Sequence, residues 1–304
     1  MPRKRNWRRP KSPDNINQVN LRNAVSRSRI APWALSAAAI AYLCLSVGGA
    51  QNRFQFVILG DRTGEAQAGV YEQVWKEAAA EHPAFVLSVG DTIQGLDDAA
   101  AAGQWKEVSR VFRQHAGIPL YLAPGNHDIW SAESETLFRK FAKHAPHYSF
   151  DFGGLHVTVL DNSRAESFSA DELHFLAQDL QTHRQAQTKL VISHRPSWLL
   201  PVLFANSKSP FHQIAKQYGV QYVIAGHIHQ MLRFKLDGIT YLSMPSAGGH
   251  LRASKRYEDG WFFGHTLVED TGGMLQFKVE EVRAPFGKGR ITQAQDWGVA
   301  GLAR

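Results

Sequence analysis

An amide, an imidazole and a carboxylate stand in consecutive positions at Asn126-His127-Asp128, just after the apolar run Leu120-Tyr121-Leu122 and the turn-permitting Ala123-Pro124-Gly125. Alone, such a tripeptide is ordinary turn chemistry. Four further segments repeat its form: Gly60-Asp61, Gly90-Asp91, Ser193-His194 and Gly226-His227-Ile228-His229 each close a short apolar run with an oxygen or nitrogen donor. Asp61, Asp91, Asn126, His194, His227 and His229 together are hard and borderline donors, suited to Mn, Fe or Zn and poorer for Mg or Ca. Six donors exceed one tetrahedral site. With a carboxylate to bridge, they suit two divalent or trivalent transition-metal ions about 3.5–4 Å apart. Such a pair polarises a phosphoryl group and acidifies a bridging water, so no nucleophilic side chain is required. Each residue also has an ordinary reading: aspartate after glycine caps helices and turns, and His227 and His229 share one face of an extended chain. Five strand ends in one chain would all have to carry donors by coincidence for those readings to hold together.

The elements that must position these residues are legible from periodicity. Residues 54–59, 85–89 and 119–122 predict strands that lead into the three carboxylate-bearing motifs. Helices are predicted after the first strand from Val70, Val74 and Trp75, over residues 104–115 from Trp105, Val108, Val111 and Phe112, and over residues 133–143. Hairpins follow: residues 148–152 with 155–160 around Gly153-Gly154, 231–236 with 239–243 around Asp237-Gly238, and 261–268 with 274–282 around Thr271-Gly272-Gly273. Ser169-Ala170-Asp171-Glu172 reads as a capping box before Leu173, Leu176, Ala177 and Leu180. Residues 189–192 and 220–224 are short buried strands running into the histidine motifs, and residues 283–304 read as an irregular tail. Strands alternate with helices first and hairpins enter later, which predicts an α/β sandwich of mixed sheets covered by helices. In such sheets ligands bind beyond the carboxyl ends of the strands, where all five motifs lie.

Composition bounds the partners. The 304 residues carry a net charge of +7, but residues 1–29 hold nine Lys/Arg against Asp14 alone. The remaining residues carry 25 basic and 26 acidic side chains, so the body gives no strong nucleic-acid signal. Residues 30–52 contain no charge, run through Trp33-Ala34-Leu35 and Ala37-Ala38-Ala39-Ile40-Ala41, and end at Gly48-Gly49-Ala50. That order predicts a signal peptide cut before Gln51 or a retained membrane anchor, with the body exported, periplasmic or extracellular, in either case. The organisation expected is a basic leader with its apolar segment over 1–52, a catalytic domain over 53–283 and a tail over 284–304. Cys44, the one cysteine, lies in the apolar run, so the body has neither disulfide nor thiolate chemistry.

The ordered set G-D, G-D, G-N-H-D, H and G-H-x-H resembles the calcineurin-like metallophosphoesterase family, from Phe54 to about Val282. The resemblance implies a four-layer αββα sandwich with a two-metal rim and a metal-dependent hydrolase of phosphate mono- or diesters, with a small phosphate ester as substrate. By position it implies that Asp91 bridges, that Asn126, His194 and His227 complete one site, and that Asp61 and His229 belong to the other. It further implies that His127 is catalytic without ligating metal, and Asp128 is placed to orient its imidazole. One departure stands out: where the family has Asp-x-His, this chain has Asp61-Arg62-Thr63. His250 is then a candidate replacement ligand or substrate contact, and Arg62 and Arg195 are candidates to meet a phosphate oxygen bidentately. Two other readings remain open: a nuclease or pyrophosphatase on the same fold, and a non-catalytic binding protein with a degenerate first site.

Overall fold

Alternation within the first strand sets the layering. In β1 (Phe54–Leu59), Phe56 and Ile58 enter one buried cluster while Val57 and Leu59 enter another, so both faces of the strand are covered. The computed structural model describes residues 53–283 and 287–297. The leader read over residues 1–52 lies outside them. Among the described residues, no helix is long and apolar enough to cross a membrane.

β1 pairs in parallel with β2 (Val86–Ser88), which pairs in parallel with β3 (Leu120–Leu122). On its other side β1 meets β10 (Gly264–Asp270) antiparallel, followed by β11 (Leu275–Arg283) and β12 (Gly287–Gln293). The second six-stranded sheet has the order β4 (Tyr148–Phe152), β5 (Leu155–Val159), β6 (Thr188–Ile192), β7 (Tyr222–Ala225), β9 (Ile239–Ser243), β8 (Leu232–Leu236). β5, β6, β7 and β9 run parallel, while β4 and β8 close the edges as antiparallel hairpin partners.

Phe56, Ile58, Phe85 and Leu87 from the first sheet pack with Leu155, Val157, Leu190 and Ile192 from the second to form the central layer. Outside the first sheet lie α1 (Val70–Ala80), α2 (Asp98–Gln114) and α3 (Ala132–Ala142), anchored by Val74, Trp75, Trp105, Val108 and Phe138. Outside the second lie α4 (Ala170–Thr182), α5 (Leu199–Leu203) and α6 (Pro210–Gln217), anchored by Leu176, Leu180, Val202 and Phe211. This is the four-layer α/β sandwich expected from the sequence.

Several details differ from the expectation, α5 and α6 among them, since no helix was expected between residues 192 and 220. The helix expected over 104–115 begins earlier, because Asp97 caps it by accepting a hydrogen bond from Ala99 N at 2.9 Å. The capping box at Ser169 is only half formed. Ser169 accepts from Glu172 N at 3.1 Å, but the Glu172 carboxylate turns to Asp161 N (3.0 Å) and His147 Nδ1 (2.6 Å). The tail is not irregular throughout: β12 extends the first sheet, and Trp297 beyond it is fully buried against Tyr257 and Phe262. Its sequence Gly-Lys-Gly-Arg lacks apolar alternation, so the strand is recruited by the free edge of β11 rather than by its own side chains.

Candidate metal centre

Parallel strands end on a common side, so β1, β2, β3, β6 and β7 deliver their terminal motifs to one rim. The approach there is close enough to need glycine. A Cβ on Gly125 would lie 2.2 Å from Asp91 Oδ1, and one on Gly226 would lie 2.4 Å from Asp61 Oδ1. Asp91, His227 and His229 adopt φ values of 55°, 69° and 60°, a left-handed conformation costing roughly 1–3 kcal/mol apiece. Packing of the two sheets holds all three in place.

The donors fall into two groups that share Asp91: Asp91, His194 and His227 in one, and Asp61, Asp91 and His229 in the other. In the first, His194 Nδ1 donates to Val89 O at 2.9 Å, which leaves the lone pair of the neutral ring on Nε2. Around that Nε2 stand Asn126 Oδ1 at 3.1 Å, Asp91 Oδ1 at 3.2 Å and His227 Nδ1 at 3.2 Å. These are separations expected of ligand atoms about 2.0–2.2 Å from one shared ion. In the second group, His229 Nδ1 faces His250 O at 2.8 Å, which directs Nε2 towards Asp61 Oδ2 at 3.3 Å. That Nε2 is buried without a hydrogen-bond partner, an orphan that a cation would satisfy. The donor set therefore fits metal. Asp61 is fixed from behind by His227 N, which lies 3.0 and 2.9 Å from its two oxygens.

The electrostatics agree with a site short of positive charge. Burial pushes His194 down, but Asp91 and Asp61 outweigh it and raise the group to about 9. Burial would raise Asp91, yet the neighbouring His194 and His127 hold it well below the usual carboxylate range. His227 is lowered to about 4 by burial and by the charge of His194.

His127 belongs to neither group. Its Nδ1 contacts Gln94 O at 2.5 Å, and Nε2 looks toward Asp91 Oδ2 from 4.0 Å. The expected role of Asp128 is corrected by its partners. Asp128 is fully buried and accepts from Thr92 N (2.8 Å), Ile93 N (3.2 Å) and Gly125 N (2.9 Å). It clamps the loop after β2 to the loop after β3 instead of holding the imidazole, because no ring nitrogen lies among its partners. Burial and then the charge of Asp91 raise it to about 7. The ring is held by Gln94, which the sequence did not single out: a backbone carbonyl carries no side-chain signature.

Thr63 sits fully buried where a histidine was expected, and its hydroxyl donates to Gln94 Oε1 at 2.6 Å. His250 does not replace the missing ring. Its Nδ1 lies 3.1 Å from Gly64 O, and the residue helps the site through its carbonyl instead. Arg62 has both terminal nitrogens occupied, by Thr92 O and Glu107 at 3.2 Å each. Arg195 pairs with the exposed Glu166, while its Nε is buried without a partner. A third donor group, Asp151, His156 and His183, lies where the β4–β5 hairpin meets the C-terminal end of α4. Its histidine rings stack at 3.9 Å and 17°, so one ion cannot lie in both ring planes. His156 instead bridges Asp151 (2.8 Å) and Asp179 (2.9 Å) as a buried charge link.

The calcineurin-like phosphoesterase family model matches residues 54–231, a span that contains all five motifs. A serine/threonine-protein phosphatase CPPED1 of Pongo abelii is 28% identical over 169 residues, 49% of this chain and 54% of that protein. The 3',5'-cyclic-nucleotide phosphodiesterase alr5338 of Nostoc sp. is 28% identical over 138 residues, 42% of this chain and 51% of that one. The chain thus spans about half the length of these curated relatives. Purple acid phosphatase PPD1 from yellow lupin (Lupinus luteus) seeds shares the fold, with a TM-score of 0.60 over 80% of this chain and 54% of the lupin chain at 16% identity.

Proposed function

Because the chain belongs to the calcineurin-like phosphoesterase family, we propose that its rim hydrolyses phosphate esters, with a divalent metal pair held by Asp61, Asp91, Asn126, His194, His227 and His229. The observation that carries this reading is Asp91. It is shared by both donor groups, and His127, which belongs to neither, faces it. Ions held there supply Lewis acidity to a phosphoryl oxygen and acidify water. The protein's own part is to fix six donors on rigid strand ends and to present a proton at His127 Nε2. Hydrolysis breaks the phosphorus–oxygen bond to the leaving alcohol and forms one to the oxygen of water. With Nδ1–H donated to Gln94 O, Nε2 carries a proton only in the doubly protonated ring; that proton passes to the departing oxygen, and the proton lost by the attacking water restores the ring through solvent. Gln94 O fixes which nitrogen faces the reaction by occupying Nδ1.

The test is turnover of p-nitrophenyl phosphate and bis-p-nitrophenyl phosphate by the purified protein, with Mn, Fe or Zn added. Hydrolysis of at least one ester is expected, lost on exhaustive chelation and restored by metal. Activity that survives complete removal of metal would reject this chemistry. Relatives named as a phosphatase and as a phosphodiesterase support testing both ester classes.

The non-catalytic reading draws only on Thr63, whose hydroxyl proton is committed to Gln94. It predicts a weak site more directly than a dead one. Asp61, Asp91 and His229 give three donors, while Asp91, Asn126, His194 and His227 give four. After dialysis against metal-free buffer, elemental analysis should therefore find between one and two ions per chain, with activity rising as metal is added. Two ions retained stoichiometrically would show that another group completes the first set, with Gln94 the first residue to mutate.

A further inference from the structure

The loop that holds His127 also holds a leucine in a conformation leucine disfavours. Leu96 has φ 61° and is 58% exposed, so it bears the left-handed penalty of roughly 1–2 kcal/mol without burial to offset it. Glycine or asparagine at this position would avoid the strain. The loop is locked from both sides. Gly95, with φ 63°, packs so tightly that a Cβ there would lie 1.8 Å from His127 O and 2.7 Å from Trp130 Cζ3. Gly95 N donates to Gln104 Oε1 at 2.7 Å, and Gln94 O contacts the His127 ring. Leu96 is thereby held at the lip of a depression of about 290 Å³ that it shares with Asn126, Ile129, Trp130, Arg164 and Arg195.

One wall of this depression is apolar and the other cationic. Leu96, buried Ile129 and half-buried Trp130 make the first. Arg164 and Arg195 belong to the second, each already ion-paired: Arg164 with Glu135 and Ser131 O, and Arg195 with Glu166, leaving only its buried Nε without a partner. Asn126 belongs both to the depression and to the donor cluster, so a phosphate ester held on the cluster from the Asn126 side would extend its alcohol into the depression. A leaving group with a flat apolar face would stack on Trp130 and cover Leu96, whereas a polyol would strip water from both walls and replace it poorly.

We propose that Leu96 and Trp130 form the leaving-group subsite, and that this protein selects phosphate esters of aromatic or heteroaromatic alcohols over those of small polyols. The proposal rests on the phosphoesterase reading above. It is tested by comparing 1-naphthyl phosphate with glycerol 2-phosphate as substrates of the wild type, Leu96→Asn and Trp130→Ala. Leu96→Asn suits the left-handed backbone, so it changes the wall without adding strain. Each variant should raise KM for the naphthyl ester by about tenfold, as for loss of apolar contact in a pocket, and Leu96→Asn should leave the glycerol ester within about twofold. Equal losses on both esters, or no change on either, would overturn the subsite. Calorimetric binding of 1-naphthylmethylphosphonate, which cannot be hydrolysed at the same bond, separates the two readings. If the wild type cleaves neither these esters nor bis-p-nitrophenyl phosphate, the phosphoesterase reading fails and the leaving-group role goes with it. The subsite falls by itself if an ester is cleaved but Leu96→Asn leaves the affinity for the phosphonate unchanged, and stands if that affinity weakens by about tenfold.

Discussion

Replacing Asp91 by alanine is expected to strip the rim of metal and lower phosphate-ester turnover by more than about 100-fold, beyond what loss of an outer partner of a metal site costs. The argument is geometric. Asp91 is the one residue common to both donor groups, and its carboxylate also accepts from His127 N at 2.9 Å and lies 3.2 Å from His194 Nε2. Its removal deletes a ligand from each group and frees His127 N in a buried loop, at a cost of about 1–3 kcal/mol. Some loss of folding is therefore built into that variant. Asp91→Asn separates the causes, since the amide oxygen still accepts from His127 N while the charge is gone. Metal content measured after dialysis should fall in both variants, with the far-ultraviolet circular dichroism of Asp91→Asn unchanged. Full metal content in Asp91→Ala, which keeps no oxygen donor at this position, would mean that Asp91 does not ligate.

The first-sheet half of this site was legible because each parallel strand is a short, largely apolar run, and each run leads to glycine followed by a donor. Gly60-Asp61 and Gly90-Asp91 announce both a strand end and a ligand, and the strand ends fix the rim. What stayed hidden depends on groups with no side-chain signature or on distant partners. Gln94 acts on His127 through a carbonyl, and Asp128 caps amides 35 and 36 residues away. Neither pattern is periodic. β12 was missed for a related reason: as an edge strand it needs only backbone pairing, so Gly-Lys-Gly-Arg suffices. α5 and α6 were missed because five and eight residues are too few to show a period. Thr63 stood out in the sequence as a departure, but the partner of its hydroxyl required the structure. The hydroxyl turned out to face Gln94, and His250 turned out to serve through its backbone.

His127→Ala should lower turnover by roughly 10²–10⁴-fold while leaving metal content near wild type. The imidazole lies outside both donor groups, 4.0 Å from Asp91 Oδ2, and its other nitrogen is held by Gln94 O, so its loss removes no ligand. The size of the loss should depend on the leaving alcohol. p-Nitrophenolate departs without help, whereas phenolate gains much more from a proton delivered at Nε2. If His127 is a general acid, the wild-type to His127→Ala ratio of kcat should be larger for phenyl phosphate than for p-nitrophenyl phosphate. A residue that merely holds the phosphate would lower both by the same factor, mainly through KM. Asp128→Asn supplies the contrast. Asp128 clamps Thr92, Ile93 and Gly125 without touching the ring, so its variant should lose stability and metal together and show no dependence on the leaving group. A ratio that stays constant across both esters in His127→Ala would remove the imidazole from proton transfer and leave it a phosphate contact. Loss of metal in that variant would place it among the ligands, against the geometry that sets it apart.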